Sequence, residues 1–175
     1  DLLIALKKTG KPIVLVNFPG RATVMTWEQE NFPAILNVWF GGCESGDAIC
    51  DVLCGDKVPS GKLSGTMPKS VGQIPLYYNH LNTGRPLKEG KWFSKFTSNY
   101  LDIDNDPLYP FGYGLSYTTF KYGKPTLSSN TMTNNETISV SVDITNTGNY
   151  DADEIAQMYI RDLAASVSRP VKELK

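Results

Sequence analysis

The chain has 175 residues, 41% of them hydrophobic and 20% charged, with a formal net charge of -1. That is enough for one domain with its own core or for two incomplete ones, at a composition ordinary for a globular protein. A balance this close to neutral leaves no electrostatic footprint for nucleic acid or an anionic membrane surface, and no apolar run approaches the ~18 residues that span a bilayer.

The opening "DLLIALKKTGK" reads as the tail of a helix already under way. Leu2, Leu3 and Leu6 can share an apolar face, Lys7 and Lys8 suit the negative end of the helix dipole, and Gly10 is a C-terminal stop. The run lacks the charged n-region and cleavage site of a signal peptide. "KPIVLVN" is a continuous apolar, β-branched run, the pattern of a strand buried on both faces of a parallel sheet. After the turn "FPGR", the run in "FPAILNVWF" predicts another buried strand. In "GGCESGDAICDVLCG", Ser45 is an expected N-cap, Asp47 falls in the first turn and Gly55 closes the helix. "DKVPSGKLSGTMP" is dense in turn residues. Residues 1–70 are therefore read as α/β.

The three cysteines, Cys43, Cys50 and Cys54, lie within twelve residues at C-x6-C-x3-C spacing. That fits neither paired zinc knuckles nor an even disulfide framework. Cys50 and Cys54 would lie one turn apart on a helix beside Ile49 and Leu53, as small buried apolar side chains.

From 71 to 115 prolines, glycines and aromatics recur with no sustained period, as in an ordered connector or a binding segment. His80 is the lone histidine and is read as a loop hydrogen-bonding residue. Asp102, Asp104 and Asp106 stand at calcium-like spacing, but Pro107 and Tyr113 occupy positions where an EF-hand needs glycine and glutamate. An EF-hand is excluded; an irregular cation site stays open. From 116 onward the period becomes two. In "TISVSVDITN" Val140, Val142 and Ile144 share a face with Ile138, and "IAQMYIR" alternates again, as in an antiparallel β-sandwich. Asn135 heads the sequon "NET" and is read as a turn.

Three collinear stretches carry a family resemblance: "FGGCESGDAICDVLCGDKVPSGKLSGTMPKSVGQIPLYY", "LYPFGYGLSYTTF" and "VDITNTGNYDADEIAQMYIRD". Together they resemble the C-terminal part of glycoside hydrolase family 3, in the branch of bacterial periplasmic β-glucosidases. The resemblance implies the second half of an α/β sandwich at 1–70, an aromatic, Pro/Gly-rich connector at 71–115, and the truncated start of a fibronectin-III-like β-sandwich at 116–175. It implies a fragment of a retaining exo-glycosidase that releases terminal β-D-glucosyl or related residues, in a periplasmic or secreted parent, with an N-terminal barrel domain missing here and a homodimer left open. The partner is a β-glucoside or oligosaccharide substrate; no cofactor and no metal is implied.

Retaining hydrolysis needs two carboxyl groups about 5 to 5.5 Å apart. The resemblance places the nucleophilic aspartate in the barrel and the acid/base glutamate upstream of Asp1, so no catalytic residue is carried onto this chain and the fragment alone is expected to be inactive. Glu44 and Asp47 are better explained by a helix start. Candidate substrate contacts are Asn79, His80, Arg85, Trp92 and Tyr100, which supply hydrogen-bonding groups and flat apolar surfaces. Tyr109, Phe111, Tyr113 and Tyr117 are expected to form a hydrophobic joint between two domains, with Gly112 and Gly114 permitting a tight turn beneath them. The reading from another class is a non-catalytic carbohydrate- or protein-binding β-sandwich module.

Overall fold

In the computed structural model, residues 1–88 and 90–175 are described. They divide into two units: Asp1–Ile49 with Lys62–Tyr113 and Ala156–Lys175, and Cys50–Gly61 with Gly114–Ile155.

The first unit opens with helix α1 (Leu2–Lys7), which Gly10 ends at φ 71°. Strand β1 (Val14–Asn17), helix α2 (Thr26–Asn31) and strand β2 (Ala34–Asn37) follow, and the strands pair in parallel from Val14–Ala34 to Asn17–Asn37. A parallel pair needs a crossover, and α2 supplies it. Buried Met25 and Phe32 flank α2, with Trp27 edge-on to Phe32 at 5.5 Å between ring centroids. The parallel strands match expectation, but their burial is partial: Val14 is half exposed.

Helix α3 (Ser45–Cys54) ends at Gly55, whose φ of 89° lets its N–H and that of Lys57 both reach the Asp51 carbonyl at 3.1 Å. Ser45 is already helical, so it is not the N-cap that its residue type suggested. All three cysteines are free and exposed, which corrects the expected core packing. Helical spacing puts Cys50 and Cys54 on one face, but α3 contains no buried residue.

Beyond α3 the first unit is held by segments with little regular structure. Met67, fully buried, exchanges backbone hydrogen bonds with Tyr109 at 2.8 and 3.3 Å and accepts another from Leu108 at 2.9 Å. Leu63 N–H donates to the Tyr113 carbonyl at 2.8 Å, and Gly112 N–H to the Leu63 carbonyl at 2.7 Å. A 3-10 turn (Val71–Gln73) carries a reciprocal capping box between Ser70 and Gln73. Strands β7 (Tyr159–Ile160) and β8 (Glu173–Leu174) form an antiparallel pair in the same unit.

The second unit contains β3 (Phe120–Tyr122) paired with β6 (Ile144–Asn146), and β4 (Thr126–Leu127) paired with β5 (Val140–Ser141), both antiparallel. Where one continuous alternating strand was expected over "TISVSVDITN", two short ones form. Gly123 N–H still donates to the Asp143 carbonyl at 2.8 Å; beyond it Pro125, without an N–H, interrupts the partner side. Buried Thr118 pins this unit: its hydroxyl bonds Asn146 Oδ1 at 2.7 Å, and Asn146 Nδ2 donates to the Tyr150 carbonyl at 2.7 Å. Asn135 lies in a turn closed from Glu136 N–H to the Thr133 carbonyl at 3.1 Å.

Candidate functional site

The connector is built around one buried side chain. Gln73 is 1% exposed; its Oε1 accepts from Lys69 N–H at 2.7 Å and its Nε2 donates to the carbonyls of Asp104 at 3.0 Å and Asp106 at 3.2 Å. The Lys69 ammonium reaches both carboxylate oxygens of Asp104, at 2.7 and 2.8 Å, and Tyr100 donates its phenol to the Gln73 carbonyl at 3.3 Å. The acidic run is thus tied into a network in which Asp104 also accepts from Asp106 N–H at 3.1 Å. Among the described residues no group of three His, Cys, Asp or Glu side chains is arranged to hold a metal.

The five candidate contacts fall into two places. Arg85 and Tyr100 flank one backbone bridge: Ser98 N–H donates to the Arg85 carbonyl at 2.8 Å, and Pro86 pairs with Ser98. Trp92, 59% exposed, lies in sequence between Pro86 and Ser98, with its ring 5.7 Å from that of Phe93. His80, exposed, interacts through Nδ1 with the Leu81 carbonyl at 3.0 Å, and its own carbonyl accepts from Val171 N–H at 2.9 Å. It is a loop hydrogen-bonding residue, as expected; Asn79 is exposed beside it. Among the described residues no hydrogen bond or ring contact joins Asn79 or His80 to the Arg85–Tyr100 segment.

The four aromatics separate likewise. Phe111 stacks on Tyr78 at 4.3 Å, and Tyr78 meets Tyr159 edge-on at 6.0 Å. Tyr109 stacks on Tyr113 at 5.0 Å; burial, then the neighbouring Tyr113 phenol, pushes the Tyr109 pKa up. Tyr117 belongs to the second unit, where its phenol donates to the Val52 carbonyl of α3 at 2.8 Å. The turn beneath the rings requires Gly112. Its φ is 80°, and a Cβ there would run into the side-chain amide of Gln157, whose Nε2 donates to the Gly112 carbonyl at 3.0 Å.

Two features escaped the sequence reading. Asn17 and Asn37, the last residues of the parallel strands, are joined Nδ2 to Oδ1 at 3.1 Å, and Asn37 Nδ2 is buried without a hydrogen-bond partner among the described residues. Trp39 follows at φ 51°, a left-handed conformation that a bulky residue rarely adopts. The matched endings "VLVN" and "AILN" were the available signal for the pair; nothing local marks Trp39.

The sequence model of the glycosyl hydrolase family 3 C-terminal domain matches residues 1–117. The chain belongs to glycosyl hydrolase family 3. It is 55% identical over its whole length to a periplasmic beta-glucosidase of Salmonella typhimurium and 44% identical to a beta-xylosidase of Formosa agariphila, covering 23% of each. A beta-glucosidase of Listeria innocua, solved in complex with isofagomine, superposes with a TM-score of 0.91 at 44% identity over 97% of this chain and 24% of its own. The chain therefore spans about a quarter of the length of the family 3 enzymes it matches.

Proposed function

We propose that the chain is the C-terminal portion of a retaining, β-glucosidase-like exo-glycoside hydrolase of the periplasm or cell exterior, acting on terminal β-glucosyl or related β-xylosyl residues. The observation that carries this reading is 55% identity, end to end, with a periplasmic beta-glucosidase. Similarity to a beta-xylosidase supports the broader substrate class. Residues 1–70 are the second half of an α/β sandwich, 71–115 the connector and 116–175 the start of a fibronectin-III-like domain. The family match ending at residue 117 supports the last boundary.

On this reading the chain's task is positioning. The nucleophile and the acid/base belong to the part of the enzyme outside these residues, and the chain completes the sandwich that holds the acid/base in place. Asn79, His80, Arg85, Trp92 and Tyr100 are the proposed sugar contacts, and Tyr109, Phe111, Tyr113 and Tyr117 the proposed joint.

The test assays an aryl β-glucoside with the chain alone, with the upstream polypeptide alone, and with both co-expressed. Without a nucleophile there is no glycosyl-enzyme intermediate, and without an acid no proton reaches the leaving oxygen. The chain alone should stay at background and co-expression should restore turnover. Robust turnover by the purified chain would overturn the assignment of roles. An upstream part that gains nothing from the chain would show it to be dispensable.

A further inference from the structure

A cleft of about 160 Å³ opens at the base of the β7–β8 hairpin, lined by Arg161, Asp162, Val167 and Arg169 of the hairpin loop and by Asn82 of the connector. Its walls are tied together by backbone: Leu81 bridges to Pro170, and Val171 N–H donates to the His80 carbonyl at 2.9 Å. Arg161 directly follows β7 and Arg169 stands four positions before β8, so both ends of one loop contribute an arginine to the lining of one cleft. Among the described residues, neither side chain has an ion pair or hydrogen bond. Asp162 brings the one carboxylate in the lining, and its Oδ1 already accepts from Ala164 N–H at 3.1 Å.

We propose that this cleft is a binding site for a small oxyanion-bearing ligand, a carboxylate or a phosphate. Two arginines lining a cleft with a single aspartate leave positive charge uncompensated. Arginine presents a rigid fork of N–H donors that matches oxyanions in bidentate fashion. Asn82 adds a neutral amide for a neighbouring hydroxyl. Size limits the ligand: drug-sized sites run ~300–1,000 Å³, so this cleft suits an inorganic ion or a single sugar acid. The proposal stands whatever bond the parent enzyme cleaves, because none of these residues is among the proposed sugar contacts.

The experiment is calorimetric titration of the full-length protein, at low ionic strength, with inorganic phosphate, with glucuronate and with neutral glucose as control. Saturable 1:1 binding of phosphate or glucuronate is expected, weakened at least tenfold in both Arg161→Gln and Arg169→Gln and less in Arg161→Lys, which keeps the charge but loses the fork. Preference for glucuronate identifies a sugar acid, and preference for phosphate a phosphate ligand. An unchanged melting temperature in at least one glutamine variant shows that the loss is local. No saturable binding of either anion, or binding unaffected by both substitutions, would overturn the proposal.

Discussion

Replacing Gln73 with leucine tests whether one buried amide holds the connector in place. The substitution keeps an apolar body of similar size but removes the acceptor for Lys69 N–H and the donor for the Asp104 and Asp106 carbonyls. Lys69 and Asp104 are only partly exposed, so their backbone groups are partly shielded from water. A polar group left unpaired in such a place costs about 1–3 kcal/mol, and water can reach the more exposed Asp106, so the opening of this region should become easier by about 2–5 kcal/mol. Local opening is read by native-state hydrogen exchange on peptides covering 98–109 in the full-length protein. At about 1.4 kcal/mol per factor of ten, protection there should fall by about 30-fold or more. Peptides from β3 and β6 in the second unit should be little changed. Unchanged protection at 98–109 in a folded variant would refute the claim that Gln73 is the tie.

Gly112→Ala should destabilise the first unit by about 2–3 kcal/mol, from the left-handed backbone and the displaced Gln157 amide; Gly10→Ala, at φ 71° with nothing within 4 Å of its added methyl, should cost only ~1–2 kcal/mol. Equal melting shifts for the two would show that the Gln157 contact contributes nothing. Burial, and then the neighbouring Tyr78 phenol, raises the Tyr159 pKa, as burial and Tyr113 raise that of Tyr109. Above pH 10 the unfolded chain gives up these phenolic protons before the folded one does, so their contribution is fully present below pH 10 and is lost as pH rises past it. Tyr159→Phe should flatten the alkaline fall in denaturant midpoint, and an unchanged slope would contradict the shift.

How much of this was legible in the sequence depends on whether the cause was local. The two parallel strands announced themselves as continuous apolar runs, and Gly10, Gly55 and Gly112 stand where the chain takes positive φ. Periodicity says which residues share a face but not whether anything covers it: Cys50 and Cys54 read as buried and are exposed, and Val140 and Val142, expected on one face, are exposed as well. Strand length in the second half was overestimated because pairing is decided by the partner: Pro125, without an N–H, interrupts a ladder whose other side carries an unbroken alternation. The Ser70–Gln73 capping box was visible as S-x-x-Q, but its reach to Asp104 and Asp106, more than thirty residues away, belongs to tertiary structure. The same holds for the candidate contacts, where residue types suited to a sugar are not by themselves a statement that they converge.

The last prediction follows from how little of the chain is covered. Met25, Phe32 and Met67 are the buried apolar core among the described residues, while Leu2, Phe40, Leu101 and Leu163 are each at least 73% exposed. The accessible surface is 13177 Å², whereas a folded monomer of 19.3 kDa exposes about 8,500 Å². Exposed apolar side chains on this scale favour association, and two-stranded sheets present backbone edges that pair with other chains. The isolated chain should therefore sediment as oligomers, or unfold over a broad range of denaturant with a midpoint that depends on protein concentration. The full-length protein should protect the same residues: hydrogen exchange in peptides spanning β1 and β2 should be slower there than in the isolated chain by orders of magnitude. A monomer in sedimentation velocity that unfolds in one sharp, concentration-independent step would show that this small core suffices.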